Sequence, residues 1–325
     1  MLTCLLMLSA CGERQAEVAS AKTSDTSWPR TFDTVKGPVT LPMPPLRVVS
    51  TSVTLTGTLL AIDAPLVATA VTSPNTTVAG PEGFFRQWQQ VARDRKVVPL
   101  YQGEPNAEAI VTAQPDLVVI SATGGDSALK LYEQIHQIVP AIVVNYDDKS
   151  WQELAQLLGR MTGHEDGARA AIARFDARMK SVRQDIALPP QPTNAIVYYE
   201  DDSGANVWTA ASAQGKLLTE LGFNLAPVPE SARGDTSMGK RSDIVQISGE
   251  KFADGLRGQT LLLFSADDTT TSQVKQNRFL QRNPAVASGR VYAVGFDTFR
   301  LDYYSANNFL DRIQQRFARG AGRAQ

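Results

Sequence analysis

The sequence predicts an α/β fold of two lobes with mainly parallel central sheets, joined by one long α-helix and enclosing a ligand cleft. Three observations carry this. Short β-branched runs alternate with helical patterns up to about residue 149, the alternation stops between Ser150 and Leu188, and it resumes after the "LPPQP" that begins at Leu188. Alternating strands and helices favour parallel sheets.

Along the first lobe, "LRVVSTS" (46–52), "PLVATAV" (65–71), "PDLVVIS" (115–121) and "AIVVNY" read as strands. "VTLTGTLLAID" (53–63), "GFFRQWQQVARD" (83–94), "NAEAIVTAQ" (106–114) and "DSALKLYEQIHQI" read as helices between them. In the interruption, Ala168, Ala171, Ile172, Phe175, Met179, Val182 and Ile186 recur at three- and four-residue spacing, as on one helix face. A helix from about His164 to Ile186 would be roughly 33 Å long, enough to bridge two lobes, and the paired prolines stop it. The second lobe offers the strands "NAIVYYE" (194–200), "TLLLFS" (260–265) and "RVYAV" (290–294). Its helices are "AQGKLLTELG" (213–222), "SGEKFADGL", "TSQVKQNRFLQR" and a last one from about Asp302. The expected organisation is a first lobe over 28–149, a linker region over 150–188 and a second lobe over 189–325.

The 325 residues carry a net charge of −1, which supplies no general drive toward nucleic acid or an anionic membrane. Both cysteines, Cys4 and Cys11, precede the predicted lobes, so the body has neither a disulfide framework nor a thiolate metal site. With His136 and His164 the only histidines, a histidine-built zinc or haem site has little to draw on. Residues 1–11, "MLTCLLMLSAC", read as a secretory apolar segment too short to span a bilayer. Leu8-Ser9-Ala10-Cys11 resembles a lipobox and predicts lipid on Cys11, although residues 1–10 contain no Lys or Arg. The polar, Ala- and Ser-rich stretch 12–27 reads as a tether.

Catalytic motifs are scarce. The chain has no Gly-x-Ser-x-Gly elbow, no Gly-x-x-x-x-Gly-Lys-Ser/Thr loop, no Gly-x-Gly-x-x-Gly and no His-Glu-x-x-His. "ATGGDS" (122–127) lacks the lysine of a phosphate loop and reads as a strand-to-helix turn with Asp126 as an N-cap. His164 reads as a solvated residue at a helix start.

The stretches "RVVSTSVTLTGTLLAIDAP", "GEPNAEAIVTAQPDLVVIS", "VNYDDKSWQELAQLLGRMTGHE", "NVWTAASAQGKLLTELGF", "GKRSDIVQI" and "TFRLDYYSA" resemble the helical-backbone substrate-binding proteins that deliver siderophores, haem and cobalamin to ABC importers, those for ferric enterobactin above all. The likeness runs from about Trp28 to the C-terminus. It implies a non-catalytic, monomeric binding protein of the periplasm with a rigid helical hinge, a ferric catecholate siderophore in the cleft and permease subunits as partners. Iron would be held through the siderophore alone, without a protein cofactor. The membrane contact expected is the lipid on Cys11.

A ferric tris-catecholate is a trianion with aromatic faces, so its site calls for arginine and aromatic side chains. The family's contact positions fall here on Arg86 beside Phe84, Phe85 and Trp88, on Trp208, and on Phe299 with Arg300. Arg86 reads equally as a solvated residue of a first-lobe helix, and Trp88 as core. Trp208 lies in an Asn/Thr-rich turn, and Tyr303 and Tyr304 read as packing of the last helix. The pair Lys240-Arg241 reads as a solvated loop end that could also close over an anion. By motif, Glu108 and Glu250 occupy the family's docking positions, one per lobe, although the helix dipole alone would favour a carboxylate at a helix start. Two other readings stay open: a binder of haem, cobalamin or another iron-siderophore, and an α/β hydrolase, which would need His136 or His164 beside an activated serine.

Overall fold

The computed structural model describes residues 27–199, 201, 203–234 and 242–319. Cys11, the stretch before it, the tether up to residue 26 and the Lys240-Arg241 pair lie outside them. The chain enters through an antiparallel hairpin, β1 (Arg30–Thr34) and β2 (Gly37–Leu41), which the strand patterns did not reveal. The first lobe then runs β3 (Val48–Ser50), α1 (Val53–Ala61), β4 (Leu66–Val71), α2 (Gln89–Asp94), β5 (Val98–Gln102), α3 (Ala107–Thr112), β6 (Leu117–Ser121), α4 (Tyr132–His136) and β7 (Ala141–Val144). Its sheet has the order β5-β4-β3-β6-β7, parallel throughout. Every residue of β6 and β7 is buried, as continuous Val/Ile runs require in a sheet covered on both faces.

The linker holds two helices. Ser150 and Glu153 form a capping box that starts α5 (Trp151–Thr162), and Gly163 ends it in the left-handed conformation (φ 73°). The 21-residue α6 (Glu165–Asp185) buries Ala168, Ala171, Phe175, Met179 and Val182. The second lobe runs β8 (Thr193–Tyr198), β9 (Gly204–Trp208), α7 (Ala213–Leu221), β10 (Ile244–Ser248), α8 (Phe252–Gly255), β11 (Thr260–Leu263), α9 (Asp268–Gln276), α10 (Pro284–Ala287), β12 (Val291–Ala293) and α11 (Tyr303–Phe317). Its order is β10-β9-β8-β11-β12; β8, β11 and β12 are parallel, whereas β9 and β10 are antiparallel additions. The second sheet is therefore mixed, with two strands beyond those the sequence patterns showed.

One apolar cluster runs through both lobes and the linker, from Leu55 and Trp88 through Trp151 and Phe175 to Phe264 and Phe309. Within this seam Gly57 of α1 lies against Asp302, the N-cap of α11; a Cβ there would stand 2.3 Å from Asp302 Oδ2, so only glycine lets the two helices approach. The lobes are thus joined by packed core as well as by the linker.

In the first sheet the chain leaves β3 toward β4 and β5, then returns to add β6 and β7 on the other side. The loops after β3 and β6 consequently lie side by side at a topological switch point, the usual position for a ligand.

Candidate functional site

The segment from β12 to α11 is fixed from several sides. Gly295 has φ 106°, and a Cβ there would meet Arg312 Nη1 at 2.3 Å. That guanidinium donates to Val294 O (2.9 Å) and to Asp297 Oδ1 (2.6 Å). The Thr298 hydroxyl donates to Gly295 O (2.7 Å), and the buried Gln214 amide donates to Phe299 O (2.7 Å). So held, Phe299 lies with its ring centroid 5.7 Å from that of Trp208. Trp208 is 6% exposed and Phe299 37%, so the tryptophan backs the ring while one side of it faces solvent. Arg300 reaches across to the first lobe, its Nη1 3.7 Å from Asp126 Oδ2.

These residues divide the space between the lobes. On one side is a cavity of about 280 Å³ bordered by Tyr146, Lys149, Asn206, Trp208, Phe299 and Arg300. On the other is one of about 230 Å³ bordered by Val78, Phe85, Gln87, Phe296, Phe299 and Arg300. Phe299 and Arg300 border both, which makes them the centre of the cleft.

The periplasmic binding protein family matches residues 48–298, which take in both sheets and the linker. The chain belongs to that family. Among members of this periplasmic binding protein family, the ferric enterobactin-binding periplasmic protein FepB of Escherichia coli O6:H1 is 50% identical over 300 residues, covering 92% of this chain and 94% of that protein. The iron(3+)-hydroxamate-binding protein YxeB of Bacillus subtilis is 24% identical over 310 residues, 92% of this chain and 88% of that one. The crystal structure of holo-ViuP superposes with a TM-score of 0.83 at 34% identity, covering 90% of this chain and 96% of that one.

In this periplasmic binding protein, the structure brings Trp208, Phe299 and Arg300 together, but not where the sequence placed Trp208. It is the last residue of β9, paired with Ile244 of β10, and not part of a turn. Arg86 is also moved: α2 begins only at Gln89, and Arg86 stands in the turn before it, exposed, its guanidinium donating to Thr76 O (2.8 Å). The turn arises because Gly83 takes φ 79° with its backbone so close to Thr72 O that a Cβ would sit 2.3 Å away. Arg86 borders a third cavity that shares Val78, Gln87 and Phe296 with the second, placing it at the far end of the same cleft. Trp88 is fully buried against Phe84 and Phe85. Tyr303 and Tyr304 are half-buried on the core, Tyr303 edge-on to Trp151.

Glu108 lies in the first turn of α3, and Glu250 in a 3-10 turn leading into α8; both are exposed. His136 stacks on Tyr132, and the His164 ring hydrogen-bonds Thr162 O (2.8 Å) at the start of α6. Among the described residues no helix is long and apolar enough to cross a membrane, and no three His, Cys, Asp or Glu side chains gather to hold a metal ion.

Three groups carry no motif signal in the sequence: Tyr146 and Lys149, which border the cleft, and Asp126, which faces Arg300. The first two follow β7 and the third follows β6, so the rule that ligands bind beyond the carboxyl ends of parallel strands could have found them. Burial raises the Tyr146 phenol above its usual range, partly opposed by the Arg300 charge, so it is a neutral donor at pH 7. Asp126 is not an N-cap: a 3-10 turn begins at Leu129 with Ala128 in the capping position. Its carboxylate instead accepts from the Ser52 hydroxyl (2.8 Å) and faces Arg300.

Proposed function

We propose that this periplasmic binding protein captures a ferric catecholate siderophore, with ferric enterobactin as the reference ligand, and delivers it unchanged to an inner-membrane ABC importer. The observation that carries the reading is the Trp208-Phe299-Arg300 wall: an aromatic face half open to the cleft with a guanidinium beside it. A trianion with flat aromatic faces needs both at once, and a guanidinium can pair with phenolate oxygens while stacking on a ring. Lys149 and Arg86 add cationic charge toward the two ends of the cleft, and Lys240-Arg241 would close over the anion. Iron arrives already six-coordinate through its catecholates, so no protein side chain has to bind it. The relationship to FepB at 50% identity over nearly the whole chain supports the same ligand class.

The protein would act as a monomer, its lobes spanning 28–149 and 189–325 about the 150–188 linker, held at the membrane by lipid on Cys11 and docking through Glu108 and Glu250.

Titration of tryptophan fluorescence with ferric enterobactin, haem and cobalamin tests the ligand, because Trp208 lies directly behind the binding face. Nanomolar quenching is expected for the catecholate complex only; nanomolar quenching by haem without it would overturn the reading. Arg300→Ala is expected to weaken ferric enterobactin binding by at least about 1 kcal/mol, the scale of a charge-assisted contact, and an unchanged Kd would remove Arg300 from the site.

A further inference from the structure

The loop "ATGGDS" borders the cleft through Gly124 and Gly125 and sets its carboxylate, Asp126, against Arg300. Gly124 has φ 97°, and a Cβ there would lie 2.4 Å from the Tyr146 hydroxyl and 2.7 Å from Asp126 Oδ1, so only glycine lets these groups fold in beside the backbone. Within the first lobe Asp126 receives a single side-chain hydrogen bond, from Ser52 in the neighbouring loop after β3. Its Oδ1 is buried without a hydrogen-bond partner. A carboxylate so poorly satisfied must draw its compensation from elsewhere, and the cation that faces it belongs to the other lobe: Arg300, 3.7 Å away.

We propose that Asp126 is a built-in competitor for Arg300: it holds the guanidinium across the empty cleft and is displaced from it by the anionic ligand. The inference rests on the reading that Arg300 contacts an anion. At 3.7 Å the pair is an ion pair without a direct hydrogen bond, and the side chains are only 28% and 16% exposed, so solvent screens it incompletely. A bound trianion takes the guanidinium, leaving Asp126 with Ser52 alone. Each binding event thus carries a fixed electrostatic cost that keeps the ligand releasable. Asp126 acts as a positioning residue, through Arg300.

The test is Asp126→Asn, which keeps the shape and an acceptor for Ser52, with Asp126→Ala as a second variant. Affinity for ferric enterobactin is expected to rise by about threefold to tenfold in both, the scale of one partly screened charge contact. Affinity for a neutral ferric hydroxamate complex should stay as it was. In the Arg300→Ala background the gain should largely vanish. Weaker binding of the trianion by both variants, or a gain undiminished without Arg300, would overturn the competitor role while leaving the functional reading intact. A wild-type protein that does not bind the trianion would overturn both.

Discussion

Reversing Glu108 and Glu250 together to arginine is expected to abolish ferric enterobactin uptake while leaving its affinity in solution unchanged. Both carboxylates are exposed, one per lobe, each at the start of a short helical segment. Neither borders the cavities centred on Phe299 and Arg300, so the ligand site should not register the change. The fold should tolerate it as well. A carboxylate at a helix start is worth about 0.3–1 kcal/mol, and Asn106, which caps α3 by accepting from the Ala109 amide, is untouched. If the two glutamates dock on cationic groups of the permease, as proposed, the same change would turn two attractions into two like-charge contacts, and like charges brought together at an interface cost several kcal/mol. Uptake of radiolabelled iron complex in cells carrying the double variant, alongside fluorescence titration of the purified protein, separates the two effects. Unchanged uptake would remove the docking assignment, and a parallel loss of affinity would place the glutamates in the ligand site instead.

What was legible in the sequence follows from how locally each feature is determined. β6 and β7 could be read because strands buried on both faces are written as continuous Val/Ile runs. The start of α11 could be read because Asp302 and Ser305 form a capping box within a single turn. β9 and β10 were missed because their identity is set by pairing: Asn206 and Gln246 sit inside them as directly paired residues, and polar residues there break the apolar pattern. The helical spacing of Phe84, Phe85 and Trp88 predicts a helix that includes Arg86, yet the left-handed Gly83 bends that stretch into a turn. Arg300 and Phe299 were recoverable from an arginine among aromatics. Asp126 was not, since its partner lies in the other lobe and only the assembled cleft brings the two together.

Asp302→Asn is expected to stabilise the protein at pH 7 and to flatten its stability between about pH 4 and pH 6. Asp302 lies two residues beyond Arg300, in the seam where α11 meets α1, 3% exposed. Burial raises its pKa from 3.8 to about 6, outweighing the hydrogen bonds from the Ser305 and Tyr304 amides, the Gln87 side chain and the Ser305 hydroxyl. Well below pH 3.8 the carboxyl is neutral in both folded and unfolded chains, so no cost arises; well above pH 6 it is charged in both, and the folded state bears the full cost of a buried charge. Stability should therefore fall as pH rises through this window, by on the order of 3 kcal/mol for a shift of about two pH units. Asparagine keeps an oxygen to accept from the Ser305 amide, so the cap survives. Its amide nitrogen takes the place of Oδ2, which accepts from Gln87 Nε2, so the Gln87 amide has to turn over and bring its Oε1, buried without a partner, to accept from it. Thermal unfolding of both proteins at pH 4 and pH 7 decides it. The variant should gain at pH 7 and lose most of that gain at pH 4, whereas a loss at pH 7 would mean that the ionised carboxylate holds the seam together. A gain would identify Asp302 as a charge that costs the folded protein stability at neutral pH, where the two lobes meet beside Arg300.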